Sequence, residues 1–183
     1  MERRCEPSQL DPCLFMKKDI ICVVYVDDTI FAGPNRAAID LEIKGLGVSD
    51  DEHRHQFELR GEGEVGDFLG IRIAKTGDKE FNLSQTGLIT KVLKASGMEE
   101  SRACPTPAVG TPLGSDKEGA PFDEDWEYAT VVGMLMFLAG NSRPDIAFAV
   151  HQCVRFTHCA KESHGTAVKR ILRYLNGTKD KGM

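Results

Sequence analysis

The chain has 183 residues, 41% of them hydrophobic and 28% charged, with a formal net charge of −5. That length fits one domain or part of one, and the composition is that of an ordinary soluble globular protein. No apolar run reaches a membrane span, no apolar signal segment follows Met1-Glu2-Arg3-Arg4-Cys5, and the negative charge argues weakly against nucleic-acid binding.

Cys5, Cys13, Cys22, Cys104, Cys153 and Cys159 contain no C-x-x-C pair, so a reduced, intracellular, non-secreted protein is expected. The charge is uneven. Arg155, Lys161, Lys169, Arg170, Arg173, Lys179 and Lys181 face only Glu162 and Asp180 in the C-terminal part, whereas 42–64 is mostly acidic.

In chain order, Leu14-Phe15-Met16 predicts a short strand and Lys17-Lys18-Asp19 a polar turn. The apolar run from Ile20 to Val26 predicts a buried strand, and Thr29-Ile30-Phe31-Ala32-Gly33 a returning one. Ile39, Ile43 and Leu46 recur at helical spacing, which predicts a helix near Arg36 to Leu46. Gln56-Phe57-Glu58-Leu59 alternates as a strand. Phe68 to Ala74 predicts another, returning through a Thr76-Gly77-Asp78 turn as Glu80 to Leu83.

Ser84 fits the N-cap of a helix from about Gln85 to Ser96, closed by Gly97. Cys104 to Phe122, with Pro105, Pro107, Pro112 and Pro121, reads as an extended, mobile connector. Helices are expected near 124–139, with Asp123 as N-cap, 144–156 and 163–175, the last closed by Gly177.

Tyr25-Val26-Asp27-Asp28 is the segment with most chemistry in it. Adjacent carboxylates at the tip of a buried hairpin oppose each other's ionisation, and a divalent cation removes that penalty. Mg²⁺ takes oxygen ligands, usually one or two carboxylates with substrate phosphates, as phosphoryl or nucleotidyl transfer requires. A solvated turn fits the same four residues, because Asp favours turns on its own account. Lys169, Arg170 and Arg173 share a helix, where phosphate contact and a solvated face are both open. His151, Cys153, His158, Cys159 and His164 lack the tight paired spacing of a structural zinc site. Asp145, after Arg143-Pro144, reads as a helix-start residue favoured by the dipole.

The order of short motifs narrows these readings. Asp11-Pro12-Cys13-Leu14-Phe15 precedes Tyr25-Val26-Asp27-Asp28, then Asp67-Phe68-Leu69-Gly70-Ile71, Leu83-Ser84-Gln85, Gly97-Met98 and Thr106-Pro107. Val132 to Leu138, Arg143-Pro144-Asp145-Ile146-Ala147-Phe148 and Lys169 to Thr178 follow. In this order, from about Ser8 to Met183, the chain resembles the reverse transcriptase of copia-type LTR retrotransposon polyproteins. It departs at Arg60-Gly61-Glu62-Gly63-Glu64-Val65-Gly66, where the family has a Lys-Asp-Leu-Gly-like run, and around Cys159-Ala160, where a proline is common.

The resemblance implies an α+β fold. It would be a partial right-hand polymerase palm of antiparallel hairpins packed with helices (1–83), then a thumb-like helix (84–103), the connector (104–122) and a helical connection-like segment (123–183). It implies an RNA-directed DNA polymerase in which Asp27 and Asp28 bind catalytic Mg²⁺ ions together with a third aspartate from an earlier palm strand. Tyr25 and Val26 would lie beside the nucleotide, with Tyr25 on the face of Asp27; a core tyrosine capping the hairpin is the other reading of Tyr25. Phe68, Leu69 and Gly70 would grip the primer end, Gly70 letting backbone approach closely, or would form a plain hairpin.

Lys169, Arg170 and Arg173 would contact nucleic acid. The partners implied are an RNA or DNA template-primer, a dNTP and the remainder of the polyprotein, with no membrane. The fingers, the first palm strand and a ribonuclease H domain find no counterpart in the motifs, so the chain alone is expected to be inactive. A transposon remnant that binds nucleic acid without catalysis is the alternative, and an unrelated palm-type nucleotidyl transferase fits the later motifs less well.

Overall fold

Ile20-Ile21-Cys22-Val23-Val24-Tyr25 is dense in β-branched residues and lies between two tight turns, and it forms the central strand of the first unit. The computed structural model describes residues 6–46, 63–78 and 80–183. It divides the chain into two compact units, Met1–Val65 and Gly66–Met183. The strand expected at Gln56-Phe57-Glu58-Leu59 lies outside the described residues, as does Cys5.

In the first unit β1 (Glu6–Pro7), β2 (Leu14–Lys17), β3 (Ile20–Tyr25) and β4 (Asp28–Ala32) form an antiparallel sheet in sequence order. Lys17 pairs with Ile20 and Tyr25 with Asp28, so two-residue turns join β2 to β3 and β3 to β4. α1 (Arg36–Leu46) follows, where the apolar spacing placed it. The Asn35 Oδ1 caps it by accepting from the Ala37 and Ala38 N–H groups at 3.0 and 3.3 Å. Lys17 Nζ ties the helix to β2 through both Glu42 carboxylate oxygens, at 2.9 and 2.7 Å.

Burial here is slight. α1 buries none of its residues, and Cys22 is the one buried apolar side chain among the unit's described residues. The run Ile20 to Val26 is therefore not the buried strand its composition predicts: Ile21 is 44% exposed and Val26 83%.

In the second unit β5 (Asp67–Phe68), β6 (Ile71–Lys75) and β7 (Phe81–Ser84) form a second antiparallel sheet in sequence order. The single strand expected over Phe68 to Ala74 is broken at Leu69-Gly70, where both residues take positive φ, 52° and 76°. Two consecutive positive φ values make the primed turn whose twist suits a hairpin. β7 runs directly into α2 (Thr86–Ala95), so the division falls at Val65/Gly66 and not after Leu83. Gln85, not Ser84, is the residue before this helix. Gly97 ends it with φ +63°, while Met98 N–H reaches Leu93 O and Gly97 N–H reaches Lys94 O.

α3 (Tyr128–Asn141) starts later than expected: 123–127 is not helical, and Trp126 within it is buried. Pro144–Ile146 is a 3₁₀ turn that leads into α4 (Ala147–Val154), and α5 (Glu162–Asn176) closes the unit. α3 packs on α2 and α4, and α5 on the same two helices. Their shared core holds Ile89, Val92 and Leu93 of α2, Leu135 and Leu138 of α3, Val150 of α4, and Val168, Ile171, Leu172 and Leu175 of α5.

The proline-rich segment is a bonded strap and not a free connector. Cys104 N–H donates to Arg173 O, Leu113 N–H to Gln152 Oε1, and Phe122 N–H to Ala160 O. His164, fully buried, accepts at Nδ1 from its own N-cap, Lys161 N–H, and turns Nε2 to Gly114 O at 2.9 Å. Those two partners fix the proton on Nε2. The ring stacks on Phe156 at 4.0 Å. A Cβ at Gly165 would stand 2.6 Å from the Phe122 ring, so the strap lies on α5 only because that residue is glycine.

Arg143 links the chain ends of the bundle. Its side chain is 1% exposed, and Nε and Nη2 donate to the two Asp145 oxygens at 3.0 and 2.8 Å. Nη1 reaches Thr178 O and Nη2 the Thr178 hydroxyl, while Tyr174 OH donates to Asp145 at 2.7 Å. Burial alone would raise the Asp145 carboxyl; the hydrogen bonds from Arg143 and Tyr174 outweigh it and hold it below its ordinary 3.8. The bond to Asp145 raises Tyr174 in turn. Asp145 thus does more than start a helix.

Because the whole extended core lies in the second unit, 66–183 expressed alone is expected to unfold in one cooperative transition. Leu172→Ala is expected to cost it about 2–5 kcal/mol in a denaturant titration. Asp145→Ala strands a buried guanidinium and is expected to cost about 3 kcal/mol, the low end because Asp145 is partly exposed. A depressed carboxyl contributes stability above its ordinary value and loses it as pH falls through the folded one. Asp145→Asn should accordingly flatten the stability profile below about pH 4, and an unchanged acid limb would remove Asp145 from that role.

Candidate functional site

A strand pair that must reverse in two residues exposes whatever those residues carry. At the β3–β4 tip the two are Val26 and Asp27, with Tyr25 and Asp28 paired on either side. Val26 has φ +53° and Asp27 does not share the positive sign, the pattern of a type II′ turn. Glycine normally takes that first position; a β-branched residue there is an outlier costing about 1–3 kcal/mol.

Asp27 and Asp28 are exposed, and neither carboxylate has a hydrogen-bond or ion-pair partner among the described residues. The tip is thus open to solvent and not part of a buried hairpin. Asp27 sits in the turn, so Tyr25 does not share its face by strand alternation. Tyr25 stands directly opposite Asp28, and opposed residues point to one side of the sheet. At 54% exposure Tyr25 is not a core tyrosine. No group of three His, Cys, Asp or Glu side chains gathers among the described residues. Two exposed carboxylates with unshared oxygens suit a hard cation that completes its shell with water and phosphate.

The Phe68-Leu69-Gly70 hairpin lies in the other unit. Leu69 is 39% exposed at the turn. Nothing stands within 4 Å of where a Gly70 Cβ would be, so its glycine serves the positive φ and not a close approach. Beside this turn a cleft of about 520 Å³ runs to the start of α2, bordered by Asp67, Arg72, Gln85, Thr86, Gly87 and Lys91. Gln85 Oε1 accepts from the Ser142 hydroxyl at 2.8 Å, while its Nε2 is buried without a partner. An unmet buried donor of this kind costs about 1–3 kcal/mol. Leu83-Ser84-Gln85 stood out in the sequence as a helix start and as one of the ordered motifs; its spacing carried no sign of this cleft.

The three basic residues of α5 have partners inside the protein. Lys169 Nζ pairs with Glu124, Arg170 Nη2 donates to the Thr106 hydroxyl at 2.7 Å, and Arg173 Nε donates to Arg102 O at 2.8 Å. They hold the strap and the residues around it. The histidines and cysteines do not converge: Cys153 is buried with its thiol pushed up to about 11, and His164 is taken by the strap. No disulfide joins cysteines among the described residues, and no helix there is long and apolar enough to cross a membrane.

No protein-family model matches the chain, and no solved structure does. Curated relatives do. The retrovirus-related Pol polyprotein from transposon RE1 of Arabidopsis thaliana is 33% identical over 96% of this chain, which covers 12% of that protein. The corresponding polyprotein from transposon RE2 of the same plant is 30% identical over 90% of the chain and 11% of its own length. That from transposon TNT 1-94 of Nicotiana tabacum is 32% identical over 92% of the chain and 13% of its own length. The chain thus spans about an eighth of these relatives. Near-complete coverage on one side and a small share on the other make this chain a homologue of one segment of retrovirus-related transposon Pol polyproteins.

Proposed function

We propose that this chain is the part of a copia-type reverse transcriptase that carries the metal-binding carboxylates and the hairpin facing the primer, as a partial right-hand palm followed by thumb and connection helices. The observation that carries the reading is the β3–β4 tip. Two unpaired, exposed carboxylates sit on a two-residue turn that holds a valine at positive φ. Strain of that kind persists where the surrounding structure over-determines it, often at functional sites. Homology to Pol polyproteins supplies the context.

In this reading Asp27 and Asp28 hold Mg²⁺ and Tyr25 borders the nucleotide. A metal held by Asp27 and Asp28 would supply Lewis-acid activation for a primer 3′-hydroxyl and charge stabilisation for a pyrophosphate leaving group. The chain's own contribution is positioning. The β2–β3–β4 ladder fixes where the tip stands, and the opposed Tyr25–Asp28 pair fixes which side of the sheet carries both ring and carboxylate.

Expressed within its polyprotein, Asp27→Asn is expected to lower primer extension roughly a hundredfold or more with unfolding unchanged. In the chain itself, Mn²⁺ should broaden the amide signals of Asp27 and Asp28 in the parent and leave Asp27→Asn/Asp28→Asn untouched. Parent-rate extension by Asp27→Asn would end this reading. Val26→Gly is expected to stabilise the hairpin by about 1 kcal/mol, read as a higher unfolding midpoint.

A further inference from the structure

β7 is paired with β6 along one edge, and its other edge is only begun. Near the hairpin turn, Thr76 N–H donates to Glu80 O at 3.0 Å, so Thr76 and Glu80 face each other as a hydrogen-bonded pair. In an antiparallel ladder such pairs alternate with pairs whose N–H and C=O groups point away from one another. Lys75 stands opposite Phe81 and Ile73 opposite Leu83, so the backbone groups of Phe81 and Leu83 point outward, away from β6.

Leu83 has its outward groups met. Its N–H donates to Met183 O at 2.8 Å, and its C=O accepts from Met183 N–H at 3.0 Å. Two residues that exchange both bonds form one rung of an antiparallel pairing. Gly182 lets the chain reach this rung, because a Cβ there would fall on Leu83 O and crowd the Asn82 side chain. The next rung of the same kind lies two residues further along each strand, at Phe81 on β7. No described residue bonds the outward N–H and C=O of Phe81.

A second observation is apolar exposure. Phe81 and Leu83, two apart on one strand, share a side of the sheet, and Met183 opposite Leu83 points the same way. Phe81 is 58% exposed and Met183 60%. A strand laid along this edge covers both and removes an open edge of the kind that invites unwanted pairing.

We propose that the outer edge of β7 is a docking edge for one more strand, and that its occupant is the polypeptide next after Met183 in a polyprotein of this family, extended and antiparallel to β7. The second residue beyond Met183 exchanges both backbone bonds with Phe81 and lays an apolar side chain beside its ring. In strand addition of this kind the main chain supplies affinity and alternate side chains supply selectivity. Continuity favours this occupant: Met183 already holds the first rung, so the residues attached to it reach Phe81 at high effective concentration. The inference rests on the homology to Pol polyproteins and not on the catalytic reading of Asp27 and Asp28. The chain then leaves the helical unit along β7 toward the β6–β7 turn, anchored to the sheet and not hung on a free linker.

The test compares amide hydrogen exchange in the 183-residue chain with exchange in the same chain carrying a threonine–isoleucine–threonine tail after Met183. The isoleucine falls opposite Phe81, and β-branched residues suit a strand. Leu83 is expected to be protected in both proteins. Phe81 is expected to exchange freely in the 183-residue chain and roughly tenfold or more slowly with the tail present. An NOE between the Asn82 Hα and the Hα of the first tail residue should mark the register, because these two face each other in a non-hydrogen-bonded pair. Proline as the second tail residue removes the N–H that Phe81 O accepts and should abolish the protection. Proline as the first, whose N–H points to the new outer edge, should leave most of it. Gly182→Ala should lose protection at Leu83 and, in the tailed chain, at Phe81, while the amides of α2 and α5 stay protected.

Phe81 exchange unchanged by the tail, or equal losses from proline at either tail position, would overturn the docking edge. Phe81 protection that rises with protein concentration in the untailed chain would overturn the occupant, because a second copy would then fill the edge.

Discussion

The buried guanidinium of Arg143 is the contact on which the helical unit depends. A charge with 1% exposure is tolerable only with its hydrogen bonds met. Here Asp145 takes two of them in a bidentate pair and Thr178 takes two more through its carbonyl and hydroxyl. Asp145 also receives the Tyr174 hydroxyl, and the Tyr174 ring lies 5.6 Å from the guanidinium carbon. The link between α3 and α4 is thereby fixed to the end of α5. The chain beyond α5 continues back to the sheet, where Met183 and Leu83 exchange both backbone hydrogen bonds. One satisfied charge sets the relation of the last helix, the helix corner and the edge of β7.

The two units are held by different physics. The helical unit buries a continuous set of Leu, Ile and Val side chains from four helices, each contributing on the order of 1.5–3 kcal/mol when fully buried. The β1–β4 unit buries almost nothing among its described residues and relies on ladder hydrogen bonds, the Lys17–Glu42 pair and two tight turns. Those turns place Lys18 and Val26 at positive φ, and β4 has no partner on its outer side among the described residues. An open edge next to half-exposed apolar strands favours association with further chain.

The strap from 104 to 122 shows how proline and glycine content misleads. Proline removes backbone donors and fixes φ, which reads as a mobile linker when nothing is known of its surroundings. Four of the remaining donors and acceptors are nevertheless used, by Arg173 O, Gln152, Ala160 O and the buried His164. The basic face of α5 is tied to the same region: Lys169 pairs with Glu124, just after the strap, while Arg170 and Arg173 each donate to a neutral oxygen, the Thr106 hydroxyl and Arg102 O.

Local pattern alone determined much of this protein. Asn35 before the Ile39/Ile43 spacing placed α1, Gly97 ended α2 through its positive φ, and the Asp27-Asp28 reversal between two β-branched runs is a hairpin. These are short-range effects, settled by capping groups, φ sterics and side-chain period within a few residues. Tertiary structure decided the rest. Whether the Ile20–Tyr25 strand is buried depends on what covers it, and nothing in its own alternation states that. Tyr25 came to oppose Asp28, and not to sit beside Asp27, because the turn closes over Val26 and Asp27. Arg143 and Thr178 lie in two separate motifs, and only the return of α5 brings one onto the other. The α2 cleft follows the same rule: Arg72 borders it beside Gln85 and Lys91 only because β6 pairs back on β7, which runs into the helix. Such meetings are set by long-range packing, which residue periodicity does not encode.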